Sequence, residues 1–104
     1  MGFLDFFKRP DINAGVERAA QDPNALLLDV REPDEYAYGH IPGSLNYPLS
    51  SLEEFLPEKG HPLYVYCQSG ASSARAASLL AAQGYEVENI GGIMGYRGKL
   101  EKGK

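Results

Sequence analysis

The sequence predicts an α/β domain with a mostly parallel central sheet and helices on both faces. Short apolar runs, each the length of one buried strand, alternate along the chain with helix-forming stretches. Clusters of Gly, Pro, Asn and Asp separate them. At 104 residues the chain holds one core. The expected division is an N-terminal arm over 1–10, a domain over 11–100 and a frayed end over 101–104.

The elements follow in order. Asp11-Ile12-Asn13 caps a first helix from Ala14 to Gln21, which Asp22-Pro23-Asn24 stops. Ala25 to Val30 is a continuous apolar run with a single acid, the pattern of a strand buried on both faces. Arg31 to Ala37 opens a short helix, with Pro33 near its first position and acids in its first turn. Gly39-His40-Ile41-Pro42-Gly43 is a tight connector, Ser44 to Tyr47 a short strand, and Ser50 or Ser51 the cap of a third helix through Leu56.

Pro62 to Cys67 is the clearest strand, rich in aromatic and branched residues. The polar loop Gln68 to Ser72 leads into an alanine-rich helix from Ser73 to Gln83, with Gly84 as its stop. Glu86 to Ile90 is the last strand, followed by Gly91-Gly92 and a short helix expected over Met94 to Leu100.

In such sheets ligands bind beyond the carboxyl ends of the strands. That rule gathers Arg31 and Glu32, Leu49 and Ser50, Gln68 to Ser73, and Gly91 to Met94 at one edge. His40, Pro42 and His61 precede strands and belong to the opposite edge.

A formal net charge of −4 with interspersed signs argues against a nucleic-acid partner, which requires a basic surface. The one cysteine cannot close an intrachain disulfide, and no His/Cys cluster has zinc spacing. No metal or other cofactor is called for, and a reducing, cytoplasmic setting is expected. No apolar run is long enough to span a bilayer. Met1 to Pro10 lacks a long apolar stretch and a small-residue cleavage site, so it reads as an arm packed on the domain.

Cys67 ends a strand and precedes a helix. Backbone N–H groups of the loop and first helical turn lack intrahelical partners, and the helix dipole adds positive potential there. A sulfur in that ring is stabilised as thiolate, the reactive form of cysteine. Gly70 permits the left-handed turn that wraps the ring around the sulfur. Ser69, Ser72 and Ser73 add hydroxyls, although Ser73 can instead cap the helix. A buried cysteine can also be inert packing; the strand-to-helix position favours a functional thiol.

These residues resemble the rhodanese family. The resemblance rests on Leu27 to Tyr36, Gly39 to Ser44, Cys67-Gln68-Ser69-Gly70, Ser73 to Ala77, and Gly84-Tyr85 through Gly91-Gly92, nearly all of residues 12 to 98. It implies a mostly parallel sheet of about five strands. It also implies that Cys67 accepts a sulfane sulfur from thiosulfate or a related donor, holds it as a persulfide, and passes it to cyanide or a thiol. Gln68, Ser69, Gly70, Ala71, Ser72 and Ser73 are then the substrate-binding loop. The partners expected are a small sulfur donor and a thiol or cyanide acceptor, with a protein acceptor as a further candidate.

Two positions depart from the family pattern. Ser72 stands where many members have an arginine, which lowers the affinity expected for an anionic donor. Tyr96 stands where a tryptophan often follows the paired glycines, a packing change. Asp29 and Arg31 are expected to form an internal ion pair or loop-bracing hydrogen bonds, with Arg31, which follows a strand, the nearer candidate for anion binding; Arg75 is expected to face solvent, and His40 to brace its connector. The alternative function is a persulfide carrier with little turnover on free thiosulfate. A cysteine phosphatase or arsenate reductase is disfavoured: no residue from Gln68 to Ala74 is Arg or Lys, so nothing clamps a tetrahedral anion.

Overall fold

The computed structural model describes residues 10–104, so all of the expected N-terminal arm except Pro10 lies outside the described residues. Four strands, β1 (Leu26–Asp29), β2 (Leu45–Asn46), β3 (Leu63–Cys67) and β4 (Val87–Gly92), pair in the order β2-β1-β3-β4. Every pairing is parallel. The helices are α1 (Ile12–Gln21), α2 (Pro33–Tyr38) and α3 (Ala71–Ala82).

The two-residue side-chain period of β3 divides the core. Leu63, Val65 and Cys67 join Leu28, Val30, Leu52, Ala76 and Leu80 on the α3 face. Tyr66 joins Ile12, Ile41, Ile90 and Ile93 on the α1 face. Both faces are therefore covered by helix, and β1 and β3 are apolar apart from Asp29, which is buried against Arg31. Local signals start the helices. The Asp11 side chain accepts the Asn13 N–H (3.0 Å) at the head of α1. Pro33 opens α2 behind a reciprocal Glu32–Glu35 capping box.

The sheet has four strands, fewer than the five expected. The additional pairing among the described residues is a single antiparallel bridge between His40 and Glu101. It cannot lengthen: Tyr38 is still helical on one side, and Pro42, the next position to donate, has no N–H. The same bridge corrects the expectation of a frayed end. His40 and Glu101 exchange both backbone hydrogen bonds (2.8 Å each), and the Gly103 N–H donates to the Ala37 carbonyl (2.7 Å).

The segment after β2 forms only a 3-10 turn, Leu49–Ser51, behind Pro48, and not a helix through Leu56. Between Pro48 and Pro57 only Leu52 is fully buried, so no packed apolar face holds an α-helix there. The final helix is likewise reduced to a 3-10 turn, Ile93–Gly95, where Gly95 and Gly98 interrupt the chain.

β3 and β4 pair with a shift. Val65 is opposite Asn89 and Tyr66 is opposite Gly91, leaving Ile90 as an extra residue. Ile90 turns into the α1-side core, while Asn89 shares the side of Val65, beside the start of α3.

Candidate active site

Cys67 reaches the α3 face by the alternation that buries Leu63 and Val65, and it is 3% exposed. The chain then turns at Gly70, whose φ of +106° lies in the left-handed region that glycine occupies without strain. Gly70 is the N-cap of α3, which begins at Ala71, two residues before the expected start. Ser73 is therefore not a cap. It is the third residue of the helix, where the backbone N–H has no intrahelical partner.

That N–H donates to Cys67 Sγ at 3.2 Å, and the Gly70 N–H donates to it at 3.0 Å. Two backbone dipoles thus converge on the sulfur and favour negative charge there. The Ser73 hydroxyl, fully buried, lies 3.3 Å from Sγ as its acceptor and donates to Asn89 Oδ1 at 2.7 Å.

Asn89 is the residue that sequence reasoning missed. Its Oδ1 also accepts the Gly91 N–H (3.0 Å), and its Nδ2 donates to the Gly70 carbonyl (3.3 Å). The available signal was an asparagine, a poor strand former, two residues ahead of paired glycines in an otherwise ordinary strand.

A cleft of about 460 Å³ opens in front of Cys67. Its floor is the loop, through Gln68, Ser69 and Ser72; its walls are Arg31, Glu32 and Glu35 after β1, Leu49 and Ser50 after β2, and Arg75 from α3. The carboxyl-end rule thus assembles one site from three strand ends. Gly70, Ala71 and the Gly91-to-Met94 segment lie toward a second hollow, of about 600 Å³, which does not reach Cys67. The cysteine, not the size of the hollow, identifies the site.

The Ser69 and Ser72 hydroxyls line the cleft without a hydrogen-bond partner among the described residues, whereas Ser73 is bonded internally. Gln68 is exposed and uses its carbonyl to accept the Met94 N–H (3.2 Å).

Arg31 does not offer its fork to the cleft. Its Nε and Nη2 hold the fully buried Asp29 carboxylate at 2.7–3.1 Å, and Nη2 also donates to the Gly39 carbonyl (2.6 Å). Burial alone would weaken the charge on Arg31, but the hydrogen bonds and charge of Asp29 outweigh it and raise its pKa further. Asn46 Nδ2 completes this corner by donating to the Asp29 and Arg31 carbonyls (3.0 Å each).

The remaining charges at the cleft are Glu32, which accepts from the Ser50 hydroxyl (3.2 Å), Glu35, and Arg75. Arg75 is exposed, as expected, and also forms part of the rim.

Neither histidine approaches the sulfur's cleft. His40 Nδ1 meets the Tyr36 carbonyl (2.8 Å), and its ring stacks on Tyr36 at 3.7 Å between centroids, bracing the connector. His61 Nδ1 meets the Asn24 carbonyl (2.7 Å). No group of three His, Cys, Asp or Glu among the described residues has a metal-binding arrangement. No described helix is long and apolar enough to cross a membrane.

Comparison with known proteins agrees with this fold. The family model described as rhodanese-like domain matches residues 13–99. The chain is 43% identical over 84 residues to YqhL of Bacillus subtilis, an uncharacterized protein, covering 77% of this chain and 67% of that one. It is 37% identical over 91 residues to the thiosulfate sulfurtransferase GlpE of Stutzerimonas stutzeri, covering 85% and 81% respectively. The fold is similar to that of the human single-domain sulfurtransferase TSTD1, with TM-score 0.68, 30% identity, and 76% and 85% of the two chains covered.

Proposed function

The chain belongs to the rhodanese-like domain family, and from that premise we propose that it is a sulfurtransferase working through a persulfide on Cys67. The observation that carries the reading is the convergence of the Gly70 and Ser73 N–H groups on Sγ at the end of β3. In the first half-reaction the Cys67 thiolate attacks the outer sulfur of thiosulfate. A Cys67 S–S bond forms, and sulfite leaves with the electron pair of the broken bond. In the second, a thiolate or cyanide attacks the outer sulfur of the persulfide and regenerates the Cys67 thiolate. No general base is needed if the resting sulfur is already ionised. Backbone N–H groups of the loop, from Gln68 to Ser73, are the donors proposed for the outer sulfur.

The test is an intact mass after incubation with thiosulfate. The wild type is expected to gain one sulfur atom that cyanide removes as thiocyanate, while Cys67→Ser folds and gains none. Equal thiocyanate formation by the two would overturn the proposal.

A second reading, a persulfide carrier loaded by a partner and slow with free thiosulfate, is favoured by the charges at the cleft. Arg31 is committed to Asp29, Ser72 is neutral, and Glu32 and Glu35 oppose a dianion. Titration of sulfite release with thiosulfate separates the two: saturable turnover supports the enzyme, and loading without turnover supports the carrier.

A further inference from the structure

The Ser73 hydroxyl has one proton and more than one claimant. Asn89 Oδ1 lies at 2.7 Å, the Gly70 carbonyl at 3.0 Å, Cys67 Sγ at 3.3 Å and the Gly91 carbonyl at 3.4 Å. In the thiol state the arrangement is consistent: Cys67 S–H donates to Ser73 Oγ, and Ser73 donates to Asn89. When the thiol ionises, the sulfur becomes the strongest acceptor in reach. It gains the hydroxyl only if Ser73 abandons Asn89. Asn89 keeps the Gly91 N–H in either state, so its oxygen remains paired while the hydroxyl turns.

We propose that Asn89 is a positioning residue that tunes Cys67 by competing with it for the Ser73 hydroxyl proton. The persulfide cycle gives this competition a use. A bare thiolate draws the proton toward Sγ. Once Sγ is bonded to a second sulfur it is neutral, and the hydroxyl returns to Asn89. The outer sulfur is then held by the loop alone and stays available to the acceptor. No bond other than a hydrogen bond changes at Asn89. The inference rests on the reading of Cys67 as the working sulfur, but its test needs no sulfur transfer.

The groups with charge facing the cleft are Glu32 and Glu35 from α2, Arg31 with its partner Asp29 from the end of β1, and Arg75 from α3. Asp11 and Arg97 border the hollow beyond the loop. None is altered in the following variants.

The experiment is the pH–rate profile for alkylation of the single cysteine by iodoacetamide. Asn89→Leu removes the shortest competing acceptor and frees the hydroxyl for the thiolate, since the Gly70 and Gly91 carbonyls, at 3.0 and 3.4 Å, are longer and weaker rivals. The midpoint is expected to fall by roughly half a unit to one unit, a three- to tenfold gain in thiolate fraction below it. Asn89→Asp keeps the acceptor and adds negative charge, so its midpoint is expected to rise. In a Ser73→Ala background the Asn89→Leu shift is expected to vanish. If Asn89→Leu does not fold, Asn89→Val carries the same prediction. A shift of the same sign in the Leu (or Val) and Asp variants, no shift in the Leu (or Val) variant, or a Leu (or Val) shift that survives Ser73→Ala would overturn the proposal, leaving Asn89 as a brace for the Gly70 carbonyl. Absence of sulfur loading in the wild type would instead overturn the proposed function and leave the alkylation result standing.

Discussion

Gly92 lies directly against the backbone of Gln68: a Cβ at position 92 would stand 2.5 Å from the Gln68 carbonyl oxygen and 2.7 Å from the Ser69 Cα. The same carbonyl accepts the Met94 N–H, so the end of β4 supports the cysteine loop through backbone alone. No flexible side chain is there to move aside.

Gly92→Ala is therefore expected to push Gln68 and Ser69 away from β4 and shift the loop around Cys67. A displacement near 1 Å costs on the order of a hundredfold in a positioned reaction. The rate of persulfide formation from thiosulfate should fall by about ten- to a hundredfold, with the circular dichroism spectrum retained. Unchanged loading kinetics would mean that the loop does not depend on this contact.

Ser72 lines the cleft and carries no charge, and Arg31 is spent on Asp29. Ser72→Arg places a fork of donors where an anionic donor approaches. KM for thiosulfate is expected to fall several-fold, about 1 kcal/mol for a partly solvated pair. The gain should shrink as salt is raised. A neutral donor should be little affected. Thiosulfate kinetics that ignore this substitution would show that position 72 does not meet the donor.

Arg31→Met tests the buried pair. Asp29 is fully buried and would keep the Arg31 backbone N–H, at 2.9 Å, and the neighbouring Tyr66 hydroxyl as donors, with no counter-charge. Stranding a buried carboxylate costs about 3–5 kcal/mol, which lowers Tm by roughly 12 °C or more for a domain of this size. Thermal unfolding measures it. A drop of only a few degrees would mean that water or another group takes over the carboxylate.

Asp11 supplies a pH-dependent term. Hydrogen bonds from the Asn13 backbone N–H and then its side chain hold the Asp11 carboxyl below the ordinary value of 3.8. The folded state thus binds this proton less readily than the unfolded state. Its stabilising effect is complete above the ordinary value and is lost as pH falls through the lowered folded value. The urea midpoint of Asp11→Ala should lie below that of wild type at neutral pH, and the two should converge as pH falls well below the ordinary value of 3.8. A gap that persists in acid would assign the effect to something other than the charged cap.

Much of the fold is legible along the chain because local chemistry announces it. Leu26 to Leu28 and Leu63 to Cys67 are apolar on both faces, the mark of strands covered on both sides, and Pro33 and Asp11 mark helix starts. The short segments are not legible. Ser50 to Leu56 carries helix-like residues, but only Leu52 among them finds a place in the core, and without a packed face so short a helix does not hold. Residues 101–103 read as a solvated tail because their partners, His40 and Ala37, are more than sixty residues away.

The site divides in the same way. Residue type and order are enough to place one cysteine at the end of a strand ahead of a helix, with a glycine to turn the loop and no loop arginine. What surrounds that sulfur depends on the packed fold. Ser73 became a donor to Cys67, and not a cap, because α3 begins two residues early at Gly70. Asn89 entered the site because β4 pairs it opposite Val65, whose side chain faces α3, and the extra residue that follows sets Gly91 and Gly92 opposite Tyr66 and Cys67. Register between strands is set by how both faces pack. No single segment carries that information, since each side chain's placement depends on a partner strand and helix distant in sequence.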